Sequence, residues 1–381
     1  MRAPRYSLAG IVVLLLVAAA AAFAGGQAEA KPSSTSSAEA IPSLASVYKP
    51  YFPIGAAVNV PNIETEGSFL ASQVDSLVAD NDMKWENIHP LPGDKPSDYN
   101  FGPADQIVAF AQKHGMLVRG HNLVWHQQVP DWVFEGPTGK PLSATKAEVL
   151  ARLKQHITTL LDHFRGKVYC WDVVNEAISD GQGMWRTDSP WYETAGTSTG
   201  GDGIPDYIEK AYEYARKADP AVKLFYNDYN IESGSKLEKA FELAKALKAK
   251  GLLDGIGIQG HWQIYSVDPA ALRRAIDRFA SLGLAVQVTE LDMSVYRWGD
   301  DSSLPSLPPD RESLQAKMYG ELFKVFREEG AAGKLTGVTF WGIADNDTWL
   351  DDFPVAGRTD WPLLFDAQLR PKPAFWAVAK W

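Results

Sequence analysis

The sequence predicts a (β/α)8 barrel, and three observations lead to that fold class. From Tyr51 onward, eight short apolar or β-branched runs alternate with segments of helical periodicity. Strands that alternate with helices pair in parallel, because each helix returns the chain to the start of the next strand. Eight such units, with polar side chains at the ends of most runs, favour a closed barrel over an open, doubly wound sheet.

The predicted strands are runs rich in branched and aromatic residues that end at turn signals. They cover residues 52–60, 76–83, 117–125, 168–176, 222–230, 255–262, 285–293 and 337–343. The segments between them predict helices over residues 63–72, 103–114, 145–164, 205–218, 236–250, 269–282 and 310–329, and a last helix over 374–380. Proline in the first turn and glycine after the end support several of these boundaries.

The first 24 residues predict a secretory signal peptide. Arg2 and Arg5 precede an apolar run over residues 8–24, which ends in small residues suited to cleavage. Residues 25–45, rich in Ser and Ala, predict a flexible linker, and residues 46–381 predict one catalytic domain. We therefore expect a secreted protein, extracellular or periplasmic, that contacts a membrane only if the N-terminal segment stays uncleaved.

Composition excludes several classes of protein. With 45% hydrophobic and 22% charged residues, most of the chain is expected to fold. The net charge of −10 argues against a nucleic-acid partner. The single cysteine, Cys170, excludes an intrachain disulfide. The 13 tryptophans fit either sugar-stacking surfaces or a large core, and composition leaves both open.

No cofactor or metal is expected. The seven histidines have no metal-ligand spacing. The segment 255–260 matches G-x-G-x-x-G, but it lies within a predicted strand instead of a strand-to-helix turn. An insertion over residues 299–310 follows the seventh strand, and the sequence leaves its role open. We expect a monomer.

Polar and aromatic side chains end seven of the eight predicted strands. They lie in segments 80–85, 121–126, 171–176, 227–230, 259–262, 289–292 and 341–342. Glu176 and Glu290 stand out, because each follows four or more largely apolar residues and they belong to the fourth and seventh strands. Two carboxyl groups of opposite protonation are what acid-assisted displacement at a glycosidic carbon requires. Asp80, Asp228 and Asp292 compete for these roles, and the pattern alone leaves the pair open.

Four motifs fall at the ends of predicted strands. They read Arg119-Gly-His121-Asn-Leu-Val-Trp125-His126, Trp171-Asp-Val-Val-Asn-Glu176, Asn227-Asp228-Tyr229-Asn230 and Thr289-Glu290-Leu-Asp292. Together they resemble glycoside hydrolase family 10, the endo-β-1,4-xylanases. The resemblance runs in order from about residue 50 to the C-terminus, including segments 348–350 and 361–366.

The resemblance implies roles for individual residues. It makes Glu176 the acid/base and Glu290 the nucleophile, with His261 and Asp292 holding the nucleophile in an Asp–His–Glu chain. Asn175 matches the residue that bonds the 2-hydroxyl of the sugar being cleaved. The other substrate-binding residues that the resemblance implies are Asp80, Asn81, Lys84, His121, Trp125, His126, Tyr229, Gln259, Trp341 and Trp349.

One position departs from the family. Members usually read Glu-Asn-x-Met-Lys in the second strand, where this chain has Asp80. The family glutamate binds hydroxyls of the sugar two places toward the non-reducing end from the cleaved bond. Aspartate is one methylene shorter, so the resemblance implies a weaker contact unless the backbone or a water compensates.

The resemblance implies a retaining endo-β-1,4-xylanase whose partners are xylan and xylo-oligosaccharides. A member of the family that cleaves cellulose or mixed-linkage glucan is an open alternative. A non-catalytic polysaccharide-binding barrel is a weaker one, because binding alone would not need both glutamates.

Overall fold

The computed structural model describes residues 40–181 and 183–381. The strands of this part are β1 (Ile54–Val58), β2 (Ser76–Ala79), β3 (Leu117–His121), β4 (Cys170–Asn175), β5 (Lys223–Asp228), β6 (Gly255–Ile258), β7 (His261–Gln263), β8 (Ala285–Ser294) and β9 (Leu335–Phe340). The predicted signal peptide and residues 25–39 of the predicted linker lie outside the described residues.

Helices separate and surround these strands. They are α1 (Leu44–Tyr48), α2 (Val60–Thr65), α3 (Gly67–Gln73), α4 (Trp85–Ile88), α5 (Gly102–Lys113), α6 (Lys146–His163), α7 (Pro190–Ala195), α8 (Asp206–Ala218), α9 (Gly234–Ala249), α10 (Pro269–Ala280), α11 (Pro309–Ala331) and α12 (Pro373–Ala379). Short 3-10 helices cover Pro96–Asp98, Asp131–Phe134 and Trp349–Asp351. Across the described ranges, no helix combines the length and the apolar character needed to cross a membrane.

The strands close into a barrel of eight parallel strands. Hydrogen-bonded neighbours follow the order β6-β5-β4-β3-β2-β1-β9-β8, and β6 also pairs with β8. The first and last strands meet in parallel register, with Ile54 opposite Val338. Strand β7 is a short addition that pairs with β8. The predicted (β/α)8 fold is confirmed.

Several boundaries differ from the predicted ones, chiefly at the C-terminal ends of the strands. Seven of the eight predicted strands end one to four residues early, because their polar residues leave the ladder for the barrel mouth. The sixth divides at Gly260, whose φ of 88° is left-handed backbone that favours glycine. The predicted helix 63–72 is two helices, α2 and α3.

The first helix begins earlier than the predicted end of the linker at residue 45. Helix α1 starts at Leu44, and the Ser43 side chain accepts a hydrogen bond from the Ser46 backbone. Such a cap satisfies one of the free N–H groups at the start of a helix. The Tyr48 hydroxyl then donates to the Val378 carbonyl at 2.7 Å, which ties α1 to α12. The two ends of the described chain are therefore packed together.

An ion pair lies inside the barrel, below the mouth. Arg119 of β3 and Asp172 of β4 are each 1% exposed, and the guanidinium donates to both carboxylate oxygens. Arg119 also donates to Gln287 of β8 at 2.8 Å. Buried charges are tolerated only when they are paired and hydrogen-bonded, and this pair meets both conditions.

Candidate active site

Glu176 follows β4 with a left-handed backbone. Its φ is 56°, which is uncommon for any residue except glycine. The Glu176 N–H donates to the Asn227 carbonyl at 3.0 Å, and the Glu176 carbonyl accepts from Arg186 Nε at 3.0 Å. In a regular strand, successive side chains point to opposite faces. The left-handed turn removes that alternation, so Asn175 and Glu176 share the mouth and hydrogen-bond at 3.1 Å.

The Glu176 carboxyl group accepts hydrogen bonds from side chains in the segments that follow β6 and β3. Gln259 Nε2 donates to Oε1 at 2.8 Å, and Trp125 Nε1 donates to Oε2 at 2.8 Å. His126 Nδ1 lies 3.9 Å from Oε2, and burial lowers the pKa of His126 to about 4. The Glu176 side chain is 12% exposed, so it can be reached from the mouth while most of it is desolvated.

Glu290 lies within β8, across the mouth, and both of its oxygens have partners. Asn227 Nδ2 donates to Oε1 at 2.5 Å, and His261 Nε2 lies 3.1 Å from Oε2. His121 Nδ1 is 3.9 Å from Oε1. Burial by itself would raise the pKa of Glu290, but attraction by His121 and His261 outweighs it and lowers the pKa to about 2. Glu290 is therefore ionised at neutral pH.

His261 stands between two carboxylates. Its Nδ1 lies 2.9 Å from Asp292 Oδ2, and its Nε2 faces Glu290. Burial opposes a charge on the ring, yet Asp292 and Glu290 together raise the pKa of His261 to about 10. Trp349 Nε1 donates to the same Asp292 oxygen at 2.8 Å. These side chains form one hydrogen-bonded chain, Asp292–His261–Glu290, with Trp349 at its outer end.

Lys84 and its neighbours form the polar floor on one side of the mouth. The buried Lys84 ammonium donates to Asn81 Oδ1 at 2.9 Å, and Asn81 donates to Asp80 Oδ2 at 2.7 Å. The ammonium also lies 4.9 Å from the centre of the Trp125 ring and 5.8 Å from that of Trp341. Burial raises the pKa of Asp80, and the nearby positive charge of Lys84 partly opposes this rise.

Tyr229 lies on the flank of Glu176 and is connected to it through Arg186. Arg186 Nη2 donates to the Tyr229 hydroxyl at 3.0 Å, while Arg186 Nε holds the Glu176 carbonyl. The Tyr229 hydroxyl donates to Asp180 at 2.7 Å, and Lys236 Nζ lies 3.4 Å from the ring centre.

These contacts, taken together, place all the predicted site residues at one mouth of the barrel. Within the described ranges, no group of three His, Cys, Asp or Glu side chains is arranged to hold a metal ion.

The sequence profile described as glycosyl hydrolase family 10 matches residues 43–381. The chain belongs to this family. A β-1,4-xylanase of Dictyoglomus thermophilum is 50% identical over 342 residues, which covers 89% of this chain and 91% of that protein. The crystal structure of xylanase XynB from Paenibacillus barcinonensis, complexed with a conduramine derivative, superposes with a TM-score of 0.82. The two sequences are 43% identical, and the match covers 89% of this chain and 98% of that one.

A second solved relative is a mutant structure in complex with xylotriose. It is 45% identical, with a TM-score of 0.81 over 89% of this chain and 99% of that one. Both structures match the barrel described above almost from end to end. The family assignment therefore applies to the whole described domain.

Sequence reasoning missed Asn227 as a site residue of this family 10 chain. Asn227 Nδ2 donates to Asn175 Oδ1 at 2.8 Å as well as to Glu290, so it joins the two halves of the mouth. The signal was its place directly after a predicted apolar run, next to Asp228. Asp228 is fully buried, where Lys236 lies 2.9 Å away and the Tyr226 hydroxyl donates at 2.5 Å. Its carboxylate is committed to these partners and does not face Glu290.

Sequence reasoning also missed what supports His121. The His121 Nδ1 atom lies 3.0 Å from Asp172 Oδ2, and Asp172 is held by Arg119. His121 thus connects the ion pair inside the barrel to Glu290. The available signal was an arginine and an aspartate within otherwise apolar strands, since such residues are buried only with a partner.

Proposed function

We propose that this family 10 chain is a retaining endo-β-1,4-xylanase that cleaves internal xylosidic bonds of xylan and xylo-oligosaccharides. One observation carries the proposal: two carboxyl groups face one mouth, and His261 and His121 keep one of them ionised. The names of the relatives and the xylotriose bound to one of them support a xylosyl substrate. Secretion is part of the proposal and rests on residues 1–24 of the sequence.

In the first step, an oxygen of Glu290 attacks the anomeric carbon and forms a glycosyl-enzyme ester. The bond to the leaving oxygen breaks as Glu176 transfers its proton to that oxygen, so the departing sugar leaves neutral. In the second step, the Glu176 carboxylate removes a proton from water. The water oxygen then displaces Glu290, which restores both carboxyl groups to their starting protonation.

The neighbouring groups orient this chemistry. Asp292 and the charged His261 hold Glu290 ionised and fixed in direction, and Asn227 binds its other oxygen. Asn175, which is bonded to Asn227 and Glu176, is placed to bind the 2-hydroxyl of the sugar under attack. That contact strengthens as positive charge develops on the ring in the transition state.

The stereochemistry of the first product tests the proposal. Two displacements at one carbon preserve its configuration, so NMR of xylo-oligosaccharide hydrolysis is expected to show the β-anomer first. Parallel assays on xylan and carboxymethylcellulose distinguish a xylanase from a glucan-cleaving enzyme. An α-anomer appearing first would exclude the double displacement, and preference for carboxymethylcellulose would exclude the xylanase.

Removing the charge of His261 is expected to shift the pH profile. Glu290 acts as a carboxylate, so activity falls as pH drops through its pKa, which the native enzyme holds at about 2. In His261→Gln that pKa rises, and the acid limb of kcat/KM moves to higher pH by about one unit or more. The control is His163→Gln, since His163 pairs with Asp105 on the outer surface. An unmoved acid limb, with the fold intact by circular dichroism, contradicts the assignment.

Lengthening Asp80 is expected to improve binding of the more distant sugar. The Asp80 carboxylate now accepts from Asn81, and a glutamate would extend further into the mouth. We expect Asp80→Glu to raise the ratio of kcat/KM on xylotriose to that on an aryl xyloside, by up to about tenfold. Asp82→Glu, two residues along, is the matched control. A fall in the ratio would mean that the site is already closed around the shorter side chain.

A further inference from the structure

Three exposed aromatic rings lie in contact beside the mouth. Trp349 is 38% exposed, Phe353 44% and Trp298 70%. The ring centres of Trp349 and Phe353 are 5.1 Å apart at an interplanar angle of 20°, and those of Phe353 and Trp298 are 6.0 Å apart at 51°. We call these three residues the outer aromatic row. Contiguous exposed apolar groups of this kind mark binding surfaces.

The row is continuous with the catalytic centre. Trp349 donates to Asp292, and its ring centre lies 5.0 Å from that of His261, which in turn faces Glu290. Phe353 then lies on the loop after β9, and Trp298 on the loop after the neighbouring strand β8. The row therefore leads outward from the candidate nucleophile along two adjacent loops.

The segment that carries Trp298 is anchored on both sides. The Arg297 guanidinium lies 3.8 Å from the centre of the Tyr265 ring. The buried Arg358 donates to the Asp300 carbonyl at 2.6 Å and stacks on the Tyr296 ring at 3.9 Å. The start of the 299–310 insertion is thus fixed to the barrel. A segment held in this way loses little conformational entropy when a ligand binds.

We propose that the outer aromatic row binds further xylosyl units of a xylan chain, beyond those held in the mouth. The proposal rests on the proposed xylanase function. A pyranose ring presents flat C–H faces that pack on aromatic rings, and its uncharged hydroxyl groups remain in water. The row thereby gives the loops after β8 and β9 a role in recognising long substrates.

The size of the row favours a polysaccharide over a protein partner or a second copy of this chain. An aromatic side chain buries about 150–250 Å² when fully covered, and these three are already partly covered. A stable protein interface removes about 800 Å² from each partner. The area that the row can offer is smaller than that, but it suits a single narrow chain of sugars.

The test measures how activity depends on substrate length in Trp298→Ala. We expect the ratio of kcat/KM on xylohexaose to that on xylotriose to fall about tenfold, since stacking on an aromatic ring is worth up to about that factor. Trp298→Phe is expected to restore most of the ratio. Trp381→Ala is the matched control, because Trp381 is 62% exposed but packs against Tyr48 and Arg327.

An unchanged ratio in Trp298→Ala, or an equal change in Trp381→Ala, would overturn the proposal. A change in the oligomeric state of Trp298→Ala relative to the unmodified enzyme, measured by size-exclusion chromatography, would also overturn it, because the row would then be an interface between copies. Failure of the proposed function is distinguishable, since it would appear as absent xylotriose and xylan cleavage in the unmodified enzyme.

Discussion

Replacing Glu290 with glutamine is expected to lower kcat by about five orders of magnitude on every substrate, from xylan to activated aryl xylosides. An amide cannot form the glycosyl-enzyme ester, so the first step stops whatever the leaving group. Glutamine keeps the shape of the side chain and can still accept from Asn227. The measurement is steady-state hydrolysis of both substrates, with circular dichroism to show that the fold is retained.

A chemical rescue provides the control for this variant. In Glu290→Ala, removal of the side chain leaves space beside Asn227 and His261, where azide can stand in for the carboxylate. Azide attack on an activated aryl β-xyloside would give an α-xylosyl azide, with one inversion in place of two. Unimpaired hydrolysis by Glu290→Gln would mean that another carboxylate is the nucleophile.

Replacing Glu176 with glutamine is expected to affect the cleavage of xylan and of activated aryl xylosides differently. Without a proton donor, xylan cleavage falls by about 10²- to 10⁴-fold, because the xylan leaving group is a poor one. An aryl xyloside with a good leaving group needs little protonation, so its glycosyl-enzyme still forms. The second step then lacks its base, and rapid-mixing kinetics should show a burst of released phenol followed by slow turnover.

Glu232 offers a matched control for Glu176. It is a carboxyl group that accepts from an indole, Trp262 Nε1 at 2.9 Å, much as Glu176 accepts from Trp125. Glu232→Gln should reproduce the structural consequences of losing such a carboxylate. It should not produce the burst of released phenol expected of Glu176→Gln. Equal losses on xylan and aryl xyloside in Glu176→Gln would show that the acid/base is a different residue.

The fold could be predicted from sequence because its signals are local. Alternating apolar runs and helices, with proline and glycine at helix ends, gave the strands and most of the helices to within a few residues. The short helix α1 was missed because five residues carry no measurable periodicity. The division at Gly260 was missed because a left-handed glycine interrupts hydrogen bonding without interrupting an apolar run.

The site was harder to predict because its contacts join distant parts of the chain. The amide link from Glu176 through Asn175 and Asn227 to Glu290 depends on the register between β4 and β5 and on the left-handed backbone of Glu176. Neither can be obtained from spacing within one strand. Arg119 and Asp172 stand out as charged residues in otherwise apolar runs, but their pairing becomes evident only when β3 and β4 lie side by side.

Closure of the barrel by β1 and β9 also limits how far the protein can fold while it is being synthesised. One edge of β1 has no partner until the ribosome has made residue 338, almost the whole chain later. A nascent chain therefore carries an open parallel sheet, and such edges pair readily with other chains. Cotranslational folding can complete the early βα units but not the barrel. A chain that stops before Leu335 cannot shield β1, and Tyr48 can join α1 to α12 only after Val378 has been made.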